Sequence, residues 1–157
     1  MDKLKKTRIA AIVLAALMIL AAAGWISAEA RVFGLNQRVE NAINNASMSA
    51  CSDLGGYRDL GEDFFWERAA GYINEFCRIV TTARPDGVTD QYVVQVTKLA
   101  AVAFYMTSAP EETKMFWYEI LEVMEALSKD YTDMNALRKA EQVYNDIYNV
   151  VAVSSEQ

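Results

Sequence analysis

Asp59, Asp63 and Glu67 recur at every fourth residue in "DLGEDFFWE", a spacing that sets carboxylates one turn apart on a helix. Two chemistries use such a row. Paired carboxylates can divide general acid and general base work, and a solvated acidic face with Trp66 beside it can meet a basic protein patch. At about 100° per residue the row falls away from the apolar face carrying Phe65, Tyr72 and Phe76, so it reads as a solvated acidic face rather than a buried catalytic pair, with an interaction surface as the alternative. The remaining inventory points away from an enzyme. The chain has no histidine, the commonest general base and metal ligand. It also lacks a nucleophile elbow, a phosphate-binding Walker loop and a dinucleotide fingerprint. No catalytic residue, metal ligand or cofactor is assigned.

Cys51 and Cys77 are the other pair able to do chemistry. Neither belongs to a CxxC, and no third ligand accompanies them, so redox and zinc roles have no support in the pattern. In an oxidising compartment two such cysteines on neighbouring helices are expected to form a structural disulfide, worth about 3 kcal/mol in the chain-entropy account.

The compartment follows from the first thirty residues. "MDKLKKTR" is a basic start, "IAAIVLAALMILAAA" an apolar segment, and "GWISAEA" a small-x-small ending at Ala28 and Ala30. Two fates fit this leader. Cleavage after Ala30 releases residues 31–157 as an exported domain. Retention makes Ile9 to Ile26, eighteen uncharged residues, a membrane anchor. In both cases Lys3, Lys5, Lys6 and Arg8 stay on the cytoplasmic side and the remainder is exported, to the periplasm in a two-membrane cell. Residues 31–157 carry eleven basic against nineteen acidic side chains, a formal charge of −8. Nucleic acid is excluded as a partner by that sign, and a membrane is met only through residues 9–26 if the leader is uncut. A basic protein surface is favoured; the sequence leaves homo-oligomerisation open.

The exported part reads as all-α. Leu35, Val39, Ala42, Ile43, Ala46 and Ala50 repeat at three and four, giving a helix that ends near Cys51, where "SDLGG" turns the chain. Phe65, Ala69, Tyr72, Ile73, Phe76 and Val80 mark a second helix, which stops before Pro85. Pro85-Asp86-Gly87 is turn chemistry, Thr89 an N-cap, and Val88 with Val93 a hydrophobic staple, so a third helix starts at Asp90. Its stripe is Val93, Val96, Leu99, Ala100 and Ala103, extended by Phe104. Pro110 opens a fourth helix with Glu111 and Glu112 at its positive end and Phe116, Trp117, Ile120, Leu121, Met124 and Leu127 inside. Leu137, Ala140, Tyr144, Ile147, Tyr148 and Val151 mark a fifth. Nothing alternates at period two. The expected fold is a small antiparallel helical bundle of about five helices after an N-terminal signal or anchor helix.

"AAGYINEFC", "RPDGVTDQYVVQV" and "SAPEETKMFWYEILEVMEAL" occur in an order that resembles the exported Rap/Tai-type immunity proteins, which neutralise type VI secretion amidase effectors. Gly71, Tyr72, Ile73 and Cys77 match the family's first element. Pro85, Gly87, Val88 and Thr89 match its turn, Pro110 and Glu111 its Pro-Glu element, and Ala126 with Leu127 its Ala-Leu ending. The likeness covers residues from about 50 to 130. "SKDYTD" stands where many such proteins carry a further cysteine, and the fifth helix has no counterpart. The resemblance implies a non-enzymatic protein that covers an amidase toxin. The loop holding Arg84, Asp86, Gly87 and Asp90, which projects between two helices, is the first contact candidate. Asp59, Asp63, Glu67 and Trp66 are the second. The other architecture open to the sequence is an anchored accessory subunit of a larger envelope complex.

Overall fold

The computed structural model describes the backbone of residues 2–154 and the side chains of residues 17–154. The leader's basic side chains Lys3, Lys5, Lys6 and Arg8, and its apolar side chains from Ile9 to Ala16, lie outside the described ones. Among the described residues there are six helices and no strand: α1 Asp2–Leu60, α2 Asp63–Ala83, α3 Asp90–Ser108, α4 Pro110–Lys114, α5 Trp117–Lys129 and α6 Met134–Ser154. Internal contacts divide the chain into two units, Met1–Arg38 and Val39–Gln157. The first consists of α1 residues alone, and its described large apolar side chains are exposed. The second is a helical bundle.

In the bundle α3 packs against both α2 and α6, and α5 packs on α6. Its core takes Ile43, Ala46, Ala50 and Leu54 from α1. From α2 come Trp66, Ile73, Phe76 and Val80; from α3 Tyr92, Val96, Leu99 and Met106; from α5 Ile120, Met124 and Leu127; from α6 Leu137, Ala140 and Ile147. The expected stripes shift slightly. Phe104 and Tyr148 are exposed, while Val102 and Val143 are buried.

Capping follows elementary chemistry at three places. Thr89 is extended and its hydroxyl accepts from the Tyr92 amide at 3.2 Å. Asp133 plays the same part for α6, accepting from the amides of Asn135 and Ala136 at 2.8 and 3.3 Å. Pro110 stands in the first turn of α4, where its missing N–H leaves no bond unmade in that helix.

Three expectations are corrected. First, α1 does not end near Cys51. It runs through Gly55 and Gly56 to Leu60 and stops at Gly61, whose φ of +68° suits glycine and whose N–H reaches the Tyr57 carbonyl at 2.7 Å. Of the two mid-helix glycines Gly56 makes room: a Cβ there would lie 2.8 Å from the Phe65 ring, whereas one on Gly55 would meet nothing within 4 Å. Second, the single helix expected from Pro110 is two, separated at Met115 and Phe116. Thr113 is fully buried there, and its hydroxyl donates to the carbonyls of Ala109 and Tyr105 at 2.7 and 3.1 Å.

Third, Cys51 and Cys77 form no disulfide; both are free thiols. Their helices present them to different neighbours. Cys51 on α1 lies beside Ser128, Glu125 and Lys129 of α5, whereas Cys77 on α2 faces Tyr92 of α3. A bridge requires Cβ atoms about 3.5–4.5 Å apart, which those placements do not give. Unreduced, denatured protein is therefore expected to expose two titratable thiols, and reductant is expected to leave the thermal midpoint unchanged. Failure to titrate either thiol would restore the bridge.

The same burial makes the domain alkali-sensitive. Burial first, and then Glu125, pushes the Cys51 thiol from 9.0 up to about 11, and burial pushes Cys77 up to about 12. Burial, then the neighbouring Cys77, raises the Tyr92 phenol above its ordinary 10.0. The unfolded chain loses these protons first. Stability is thus fully present below pH 9 and falls as pH rises towards the folded values. Cys77 alone is expected to remove about 1 kcal/mol by pH 10, read as the part of the drop in the urea midpoint that Cys77→Ala removes, the remainder belonging to Cys51 and Tyr92.

Candidate functional site

The residues singled out for binding separate into two places at opposite ends of α2. Its twenty-one residues span about 30 Å. At the C-terminal end, Arg84 closes α2 in the left-handed region with φ of 44°, its N–H on the Val80 carbonyl at 3.1 Å. Its guanidinium pairs with Asp90 at 2.8 Å, across the turn. Gly87, at φ +87°, approaches Thr132 so closely that a Cβ would lie 3.0 Å from its methyl group. The Tyr131 hydroxyl donates to the Asp86 carbonyl at 3.1 Å, and the buried Tyr92 hydroxyl donates to the Tyr131 carbonyl. Asp130 accepts from the Thr132 hydroxyl and amide at 2.6 and 2.9 Å, which hold its carboxyl below the usual carboxylate range. Arg84, Asp86, Gly87 and Asp90 are all exposed, on a turn fastened from beneath to the α5–α6 connection.

At the N-terminal end of α2 a half-open cleft of about 240 Å³ lies between α2, the end of α3 and α4. Asp63, Glu67 and Glu111 supply carboxylates, Lys114 an ammonium group, and Trp66, Met106 and Pro110 the apolar lining. Lys114 bridges Asp63 at 2.8 Å and Glu111 at 2.7 Å, with its own side chain only 15% exposed. Asp63 first, then Glu111, raises its pKa above the ordinary lysine value. The cleft thus holds three carboxylates and one cation, and Glu67 is the one of the three that is not paired with Lys114. Chemically the cleft is arranged to receive a further positive group.

The acidic row is not one helical stripe. The break at Gly61 and Glu62 puts Asp59 on α1, where it pairs with Arg58 at 2.7 Å, while Asp63 begins α2. Asp63 and Glu67 share the cleft; Asp59 does not line it. Trp66 is no exposed anchor. It is 1% exposed, forms the cleft's inner wall, and donates its indole N–H to the Met106 carbonyl at 2.9 Å. Glu111 and Lys114 were not singled out from the sequence as site residues. Their i,i+3 spacing directly after Pro110, at the mouth of a helix, is the signal that points to them.

A second polar feature also escaped the sequence reading. Asp53 on α1 is 5% exposed and pairs with Arg68 of α2 at 3.1 Å, and the Arg68 guanidinium lies over the rings of Phe64 and Tyr72 at 5.1 and 5.9 Å. Among the described residues no group of three or more metal-ligating side chains comes together. Within α1 the described residues include one segment long and apolar enough to cross a membrane. No family model, no curated protein and no solved structure matches the chain.

Proposed function

We propose that the chain is a non-enzymatic protein-binding module, held on the exported face of a membrane by its own N-terminal helix. The observation that carries this reading is the continuity of α1. The helix passes unbroken through Ala28, Glu29 and Ala30, where a leader would be cut, and on into residues of the bundle core. Proteases favour exposed, irregular chain, and a helix must unwind to enter one. Fractionation with N-terminal sequencing tests the point. Membrane-bound protein beginning at Met1 supports the anchor, and soluble protein beginning at Arg31 overturns it.

Binding is supported by the acidic charge of the exported part and by the cleft, whose carboxylates outnumber its lysine. A lysine or arginine side chain of a partner is the guest such a cleft suits, with charge speeding encounter more than it deepens affinity. The resemblance to Rap/Tai-type immunity proteins supplies one concrete partner, a cell-wall amidase toxin. The fastened Arg84 to Asp90 turn favours that second reading, because a rigid protrusion loses little entropy on entering a partner's cleft. Calorimetry against an amidase encoded beside the gene, with an inhibition assay, separates the surfaces. Glu67→Lys with Glu111→Lys is expected to slow association if the cleft binds, and Asp86→Lys to speed dissociation if the turn does. Absence of both binding and protection would leave the anchored accessory subunit.

A further inference from the structure

We infer that a lipid bilayer, rather than another protein, covers α1 from Leu17 to Phe33, with Trp25 at the outer edge of the hydrocarbon and Arg31 among the headgroups. This deepens the anchored reading and rests on it. The distribution of apolar side chains round the helix distinguishes lipid from a protein partner. Leu17, Met18, Ile19 and Leu20 follow one another round the helix and are each 58–69% exposed, and Trp25 and Ile26 are 70% and 68% exposed. A partner helix or a second copy would cover one stripe; lipid covers every face.

Length fixes the depth. In the sequence Arg8 and Glu29 bracket twenty uncharged residues, which as helix span about 30 Å, the thickness of a bilayer's hydrocarbon core. A shift of one turn either way would draw Arg8 or Glu29 into that core. Trp25 then lies one turn inside the outer boundary, where the indole's apolar body and polar N–H are both accommodated. Val32 and Phe33 fall about 5–7 Å beyond the boundary, in the outer part of the headgroup layer, and Leu35, about 10 Å beyond it, lies just outside that layer. There the exposed apolar run stops. Asn36, Gln37 and Arg38 are polar, and the next apolar residue, Val39, packs against the bundle core.

The full-length chain reconstituted in phosphatidylcholine vesicles carrying brominated acyl chains tests this depth. The fluorescence difference between the native chain and Trp25→Phe isolates one tryptophan of three. Bromine near the glycerol end of the acyl chain is expected to quench it about twofold more than bromine in the far half. An impermeant maleimide is expected to label Asn36→Cys and not Ala23→Cys, with the native chain, whose Cys51 is half-buried and Cys77 buried, as background. Flotation reads the anchor separately. A chain that floats but shows Trp25 unquenched, or quenched best from the bilayer centre, overturns the depth alone. A chain that does not float overturns the anchored reading as well.

Discussion

Trp66→Ala is expected to destabilise the bundle by about 3–5 kcal/mol, the cost of a large cavity where a buried tryptophan stood. The side chain is 1% exposed, and its ring lies 5.1 Å from that of Tyr57. Part of its contribution is a hydrogen bond made necessary by the sequence. In a continuing helix the Met106 carbonyl would accept the amide of residue 110, but residue 110 is proline and has no N–H. The Trp66 indole N–H takes that place at 2.9 Å. Trp66→Phe keeps most of the apolar volume and leaves the carbonyl without its donor, so about 1–3 kcal/mol should be lost. Pro110→Ala returns a backbone amide. The pair Trp66→Phe and Pro110→Ala should therefore cost less than the sum of the two, by about 1 kcal/mol in urea denaturation followed by circular dichroism. Strict additivity would show that the indole does not substitute for the missing amide.

That exchange illustrates which parts of the fold were legible in the sequence. Local signals were: Thr89 reads as an N-cap and is one, Pro110 reads as a first-turn proline and is one, and the helical periodicities produce helices. Signals that depend on a distant neighbour were not. Gly55-Gly56 resembles a turn because each glycine costs a helix about 1 kcal/mol. Packing of the Phe65 ring against Gly56 outweighs that propensity, and the chain turns five residues later, at Gly61. The aromatic run Phe64-Phe65-Trp66 misled in another way. Series beginning at Phe65 or at Trp66 both continue through apolar positions of α2, and only the tertiary partner Met106 decides that Trp66 goes inside while Phe64 stays 57% exposed.

The candidate site shows the same limit. Asp59, Asp63 and Glu67 share a face only if one helix carries all three, and the left-handed residue at Gly61 resets the phase between the first and second. Three of the cleft's eight lining residues then come from α4, about fifty residues away in the chain, whose Glu111 and Lys114 no local pattern ties to Asp63. For the cysteines, the expectation of export made a disulfide chemically reasonable, but spacing along the chain carries no information about the azimuth at which two helices present their side chains. Cys51 turns towards α5 and Cys77 towards α3. The Arg84 to Asp90 turn was legible as turn chemistry; its fastening by Tyr131 and Thr132 was not, since those residues lie beyond three further helices.

The buried carboxylate of Asp53 gives the second large effect. Its side chain is 7% exposed, and its Oδ2 accepts no hydrogen bond of good geometry, so the Arg68 guanidinium 3.1 Å away is its recorded counter-charge. Arg68 is itself 45% exposed and held over Phe64 and Tyr72. Removing one partner of a buried pair costs about 3–5 kcal/mol; with one partner half in water, Arg68→Ala is expected to cost about 2–3 kcal/mol. Asp53→Asn in that background removes the stranded charge and should recover more than half of the loss. Arg68→Lys should behave more like alanine than like arginine, because an ammonium group cannot lie flat against two rings while pairing edge-on with a carboxylate. The exposed Arg78–Glu75 pair on the same helix is the control, where truncation should leave the urea midpoint nearly unchanged. Equal costs at Arg68 and Arg78 would mean that water already screens Asp53, and that the contact between α1 and α2 rests on Gly56, Tyr57 and their apolar neighbours alone.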